Sequence, residues 1–79
     1  MTESEILARV QEIVCDQLDD DSLTLAMDLK ANDVPGWDSL AHVRIVIAAE
    51  REFGARFDTS EIVDLQNIGG LVQLIASKI

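Results

Sequence analysis

Two segments of the chain carry aliphatic side chains at one helical spacing: Ile6, Leu7, Val10, Ile13, Val14 and Leu18, and then Ile68, Leu71, Val72, Ile75, Ala76 and Ile79. Residues three and four apart share a helix face, so each set forms an apolar stripe that must be covered by something. Strand chemistry does not compete: aromatic residues make up 4% of the chain, and four glycines with one proline are too few for the turns of a sandwich or barrel. The periodicity therefore dictates an all-α fold. A chain of 79 residues has room for one small core, burying roughly 60 to 65% of the surface of the unfolded chain. Residues 1–79 are expected to form one domain with little volume for a deep preformed active site.

Local punctuation sets the element boundaries. Thr2 and Glu5 suit a capping box, and a first helix is expected over about Glu3 to Leu18. Asp19-Asp20-Asp21-Ser22 closes it with carboxylates that a helix C-terminus disfavours. A long connection follows, whose Leu23, Leu25, Met27 and Leu29 must pack against something, because long structureless loops are unusual in small domains. It reads as an ordered crossing loop over the bundle. Pro35-Gly36 break the chain, Asp38 stands as an N-cap, and a second helix runs over about Ser39 to Phe53, stopped by Gly54. Asp58 and Glu61 suit another capping box for a short helix over Thr59 to Asp64 that turns Ile62 and Val63 inward. Asn67 caps the last helix and Lys78 faces its negative end. Gly69-Gly70 costs that helix roughly 1 kcal/mol per residue relative to alanine, which predicts close packing of its first turn. The expected architecture is a four-helix bundle of three main helices and one short one, with a long first loop.

Charge narrows the function classes. Fifteen acidic residues against six basic ones give a net charge of -9, which opposes binding to nucleic acid or to an anionic membrane surface. No apolar run is long enough to span a membrane, and the first residues are acidic where a secretion signal is basic. A cytoplasmic monomer is expected. Cys15 is the only cysteine, falls on the flank of the first stripe, and has neither a partner for a disulfide nor a cationic neighbour to activate it. The aspartates at 19, 20, 21, 28 and 33 lack the register and closing glutamate of a calcium loop, so no metal site is expected.

The functional signal lies in Gly36-Trp37-Asp38-Ser39-Leu40-Ala41-His42-Val43. It puts one hydroxyl at a helix start, where backbone N–H groups and the helix dipole favour an attached phosphate. With Asp38 as the cap, Ser39 needs another purpose. The run resembles the Asp-Ser-Leu attachment site of the acyl carrier protein family. The resemblance extends to Glu50-Arg51-Glu52-Phe53-Gly54, similar to the acidic end and Phe-Gly stop of the family's second helix, and to Phe57 through Ile79, similar to its last two helices. It covers essentially the whole chain. It implies that a phosphopantetheinyl transferase esterifies a 4′-phosphopantetheine arm from coenzyme A to Ser39, with Asp38 helping to position the transferase's magnesium. It further implies that the chain carries acyl groups as thioesters between acyl-loading, condensing and acyltransferase enzymes of fatty-acid, polyketide or related biosynthesis, and is not itself an enzyme.

Helix two carries two apolar stripes. His42, Ile45, Val46, Ala49 and Phe53 group on one side as core, while Leu40, Val43 and Ile47 form a second stripe, interrupted by Arg44 and flanked by Glu50 and Arg51. A bundle this small rarely needs both, so Leu40, Val43, Arg44, Ile47 and Glu50 are expected to dock partner enzymes; the alternative is that the long loop buries both stripes. The family's second helix is described as acidic toward basic partners. Here Ala41 and Arg44 stand at positions that are often acidic, which favours dedicated partners. His42, three residues beyond Ser39, has no third group to orient its ring for catalysis, and reads as a half-buried histidine beneath the attachment site. Alanines 48 and 49 make room for an acyl chain conceivable. An aminoacyl or peptidyl carrier, or an unmodified acidic helical adaptor binding through Leu40, Val43 and Ile47, stands as the alternative.

Overall fold

In the computed structural model, which describes residues 1–65 and 67–79, helix α1 spans Glu3–Leu18 and begins at the capping box read from sequence. The Glu5 N–H donates to Thr2 Oγ1 at 3.2 Å and the Thr2 N–H donates to Glu5 Oε1 at 3.0 Å. That backbone donor, with the Thr2 side chain, holds the Glu5 carboxyl below its ordinary range. Ile6, Val10 and Val14 are buried, with Leu7, Ile13 and Leu18 packed around them. The helix ends on Asp19 in the left-handed region, at φ 52°, which a short polar side chain tolerates better than most. The Asp20 N–H then reaches back to the Cys15 carbonyl at 3.0 Å. Asp20 Oδ1 accepts from the Ser22 hydroxyl at 2.6 Å and the Ser22 N–H at 3.0 Å, which lowers the Asp20 carboxyl.

The connection to the second helix is ordered by its own aliphatic residues. Leu25 and Val34 are buried, Leu23, Met27 and Leu29 pack against the core, and a single 3-10 turn forms at Ala31–Asp33. Polar groups fix its course: the Leu25 N–H donates to Gln11 Oε1 of α1 at 2.8 Å. At its far side the Leu29 and Met27 carbonyls accept from the N–H groups of Ile68 and Gly69, at 2.8 and 2.7 Å. The loop thereby supplies acceptors to donors that a helix start leaves unsatisfied. It also explains the glycine, because a Cβ on Gly69 would stand 2.7 Å from the Met27 carbonyl oxygen.

Helix α2, Ser39–Phe53, buries Ala41, Ile45, Val46 and Ala49, and stops at Gly54 with φ 65°. The Glu50 carboxylate is used at this corner, its Oε2 accepting the Phe57 N–H at 3.0 Å. Helix α3, Thr59–Val63, is little more than one turn, begun by the Asp58 N–H donating to Glu61 Oε1 at 2.9 Å. Helix α4, Ile68–Lys78, starts with the Gly70 N–H donating to Asn67 Oδ1 at 2.7 Å, and buries Ile68, Leu71, Val72 and Ile75. Its Lys78 Nζ lies 3.0 Å from Glu61 Oε1, tying the end of α4 to α3. Helix α1 packs against both α2 and α4, and buried residues of all three, with Leu25, Val34 and Trp37, form one core.

One expectation is corrected. Val63 does not turn inward but is 74% exposed, because adjacent helical residues point about 100° apart and a single-turn helix cannot bury both. Ile62 is the one half-buried. Ala49 is fully buried in the core and Ala48 is half-buried.

Candidate functional site

Gly36, at φ 86°, takes a backbone conformation that a side chain would strain, and it turns the chain from Val34 into the start of α2. The Trp37 N–H donates to the Val34 carbonyl at 3.2 Å and the indole is buried in the core cluster. Trp37 thus anchors the turn, and Asp38 follows in extended conformation with Oδ1 accepting the Ala41 N–H at 2.8 Å. Ser39 is the first helical residue and is exposed. Among the described residues nothing hydrogen-bonds its hydroxyl, and no acidic residue stands in the first turn of α2. An anion attached at Oγ meets the positive end of a 15-residue helix with no carboxylate inside its first turn.

An open cleft runs from Ser39 between α2 and α3, its walls including Trp37, His42, Val43, Ile62 and Val63. His42 forms part of its floor. Its Nδ1 accepts the Trp37 indole N–H at 3.1 Å, and its Nε2 lies 3.3 Å from the Ile62 carbonyl oxygen. The two contacts are met together by the neutral ring carrying its proton on Nε2. With both nitrogens engaged, the ring has no lone pair to offer the Ser39 hydroxyl, and what it does is pin α3 to the turn before α2. This bridge joins residues five and twenty positions apart, which no local sequence pattern signals. Below it lies a cavity of about 10 Å³ bordered by Trp37, His42, Leu65, Ile68 and Leu71. An acyl chain does not fit there without displacing a wall.

The second stripe of α2 is uncovered. Leu40, Val43 and Ile47 are 60%, 49% and 44% exposed, so the loop does not bury it. Arg44 and Arg51 are exposed beside it. Glu50 is half-buried and closes the α2–α3 corner through Phe57, while Glu52 lies 3.6 Å from Arg9 of α1. Among the described residues no three histidine, cysteine or acidic side chains are placed to hold a metal ion, and no helix is long and apolar enough to cross a membrane. Cys15 is half-buried, its thiol 3.7 Å from the Leu23 carbonyl oxygen.

Comparison with known proteins adds family information to this geometry. The family model described as a phosphopantetheine attachment site matches residues 8–75. An acyl carrier protein of Petrotoga mobilis is 30% identical over 79 residues, covering all of this chain and 93% of that protein. One from Caulobacter vibrioides is 35% identical over 75 residues, covering 95% and 96%. The solution structure of the holo acyl carrier protein of Geobacter metallireducens superposes with a TM-score of 0.85 at 33% identity, over 92% of this chain and 84% of that one. The crystal structure of the Thermotoga maritima acyl carrier protein does so with a TM-score of 0.86 at 22% identity, over 96% and 88%, a likeness of fold.

Proposed function

From its membership of the phosphopantetheine attachment-site family of acyl carrier proteins, we propose that this chain bears its 4′-phosphopantetheine arm on Ser39 Oγ. The observation that carries the assignment is an exposed hydroxyl on the first residue of α2, at the positive end of the helix next to its Asp38 cap and with an open cleft beside it. The residues present fit the group: the helix end favours the phosphate, and the cleft between α2 and α3 gives the arm a surface to lie along. The bound arm supplies a terminal thiol that holds acyl groups as thioesters.

The chain's own residues do the positioning. Trp37, buried and bonded to His42, fixes the turn, so that Ser39 sits on a rigid element rather than on a loose loop. Asp38 spends one carboxylate oxygen on the Ala41 N–H, and the other is the atom available to the magnesium of a phosphopantetheinyl transferase using coenzyme A. Leu40, Val43 and Ile47 offer an apolar docking face to acyl-loading, condensing or acyltransferase enzymes, with Arg44 and Glu50 at its edges. Within this reading residues 1–79 act as one carrier domain, a monomer in the cytoplasm, for which the single cysteine is suited. The net charge of -9 favours acyl over aminoacyl or peptidyl cargo.

Intact mass after incubation with coenzyme A and a broad-range phosphopantetheinyl transferase tests the reading. The unaltered chain gains one phosphopantetheine, S39A gains none, and V43E and I47E keep their thermal midpoint but are turned over more slowly by partner enzymes. An unaltered chain that stays bare, as an adaptor would, or an S39A chain that is modified, overturns it.

A further inference from the structure

Past the Asp38 cap, the exposed charged residues of α2 are Arg44, Arg51 and Glu52, a cationic excess in a molecule whose net charge is -9. On α2 the exposed arc holds Leu40, Val43 and Ile47 with Arg44 and Arg51, which are seven residues and so about 10 Å apart along one edge. Arg51 and Arg56 line one shallow groove with Ile47 and Glu50. Among the described residues the ion pairs are Arg9 with Glu52 and Lys78 with Glu61, so none of these three arginines is neutralised within the chain. Of the two carboxylates of α2, Glu50 is half-buried and accepts the Phe57 N–H, while Glu52, itself exposed, lies 3.6 Å from Arg9 of α1. A surface that answers this one must cover aliphatic side chains and accept from guanidinium groups, whose planar forks match carboxylates.

Resting on the carrier reading above, we propose that the enzymes docking on α2 present an apolar patch edged by carboxylates, against Arg44, Arg51 and Arg56. The charge on the docking face is then the reverse of the chain's net charge. Such a partner feels repulsion from the rest of the molecule at long range and attraction only at contact, where interfacial charges act on orientation and partner choice. Basic enzymes, drawn to the aspartates of the long loop, are not held at α2.

The test uses the full-length holo-protein, isotopically labelled for amide NMR, and two amphipathic helical peptides with the same leucine face, one bordered by glutamates and one by lysines. The glutamate peptide is expected to shift amides along residues 40–56, and R44E/R51E to weaken it about tenfold. The quadruple variant R44Q/R51Q/E3Q/E12Q, which leaves the net charge at -9, is expected to weaken it severalfold, so the effect belongs to the face and not to total charge. The lysine peptide is expected to shift the loop aspartates instead. A lysine peptide that occupies α2 as tightly as the glutamate one, or a glutamate peptide indifferent to both variants, overturns the proposal. Mass gain of the same unaltered preparation from coenzyme A reports the carrier reading separately: a modified chain whose peptide binding goes the wrong way sinks the charge assignment alone.

Discussion

Asp38 caps α2 and, in the proposed function, also serves the transferase's magnesium, two roles that single substitutions separate. As an N-cap it satisfies the Ala41 N–H, and asparagine serves there about as well. D38N is therefore expected to hold its thermal midpoint while its transfer rate to Ser39 falls, whereas D38A loses the cap at about 1 kcal/mol, or roughly 4–8 °C for a domain of this size. Thermal melts beside mass-based transfer rates check both. Glu61 shows the complementary case of a carboxylate used only for structure. The Asp58 N–H, and then Lys78, hold it below its ordinary range, so its contribution is complete above that range and is lost as acid protonates it. E61Q should melt below the unaltered chain at pH 7, with the gap closing as the pH falls through the carboxylate range. Residues like these were legible because capping chemistry is local. Val63 was not, since one turn has no repeat to say which way it faces, and neither was the Trp37–His42–Ile62 bridge, whose members meet only after the chain has folded.

Among the elements, α1, α2 and α4 announced themselves by stripes long enough to count, and the boundary residues agreed. The loop from Asp19 to Asp38 announced only that its leucines and Met27 needed cover. Its actual course depends on the Met27 and Leu29 carbonyls finding the first turn of α4, a pairing across forty residues that no local pattern encodes. The adjacent glycines there are not equivalent. A methyl on Gly69 meets a backbone oxygen at 2.7 Å, whereas on Gly70 the nearest atom is the Asn67 Oδ1 at 3.4 Å. G69A is expected to cost about 1–3 kcal/mol through displacement of the loop, and G70A to be near neutral, as the helix propensity gained by alanine offsets a small shift of Asn67. Chemical denaturation of the two variants decides the point, equal losses counting against the loop contact.

At the scale of the whole molecule, nine net negative charges share a body 28 Å in its longest dimension, only about three Debye lengths at 0.1 M salt. Their mutual repulsion opposes the compact state, and screening relieves it. The thermal midpoint is expected to rise from 10 mM to 300 mM sodium chloride and again with millimolar magnesium, by a diffuse effect rather than at a built site. Calorimetry across that series measures it, and a flat or falling midpoint contradicts the crowding of carboxylates. The same distribution of acid has a chemical consequence at the start of α2. Five serines stand in this chain. Ser4 sits between Glu3 and Glu5, Ser60 one residue before Glu61, Ser22 donates to Asp20, and Ser77 donates to the Leu74 carbonyl. Among the described residues Ser39 alone of the five combines a hydroxyl without a partner with a helix start whose one adjacent acid, Asp38, is engaged by the Ala41 N–H; in the carrier reading a modifying enzyme that brings a phosphodiester is directed to it, and selectivity is built into the substrate.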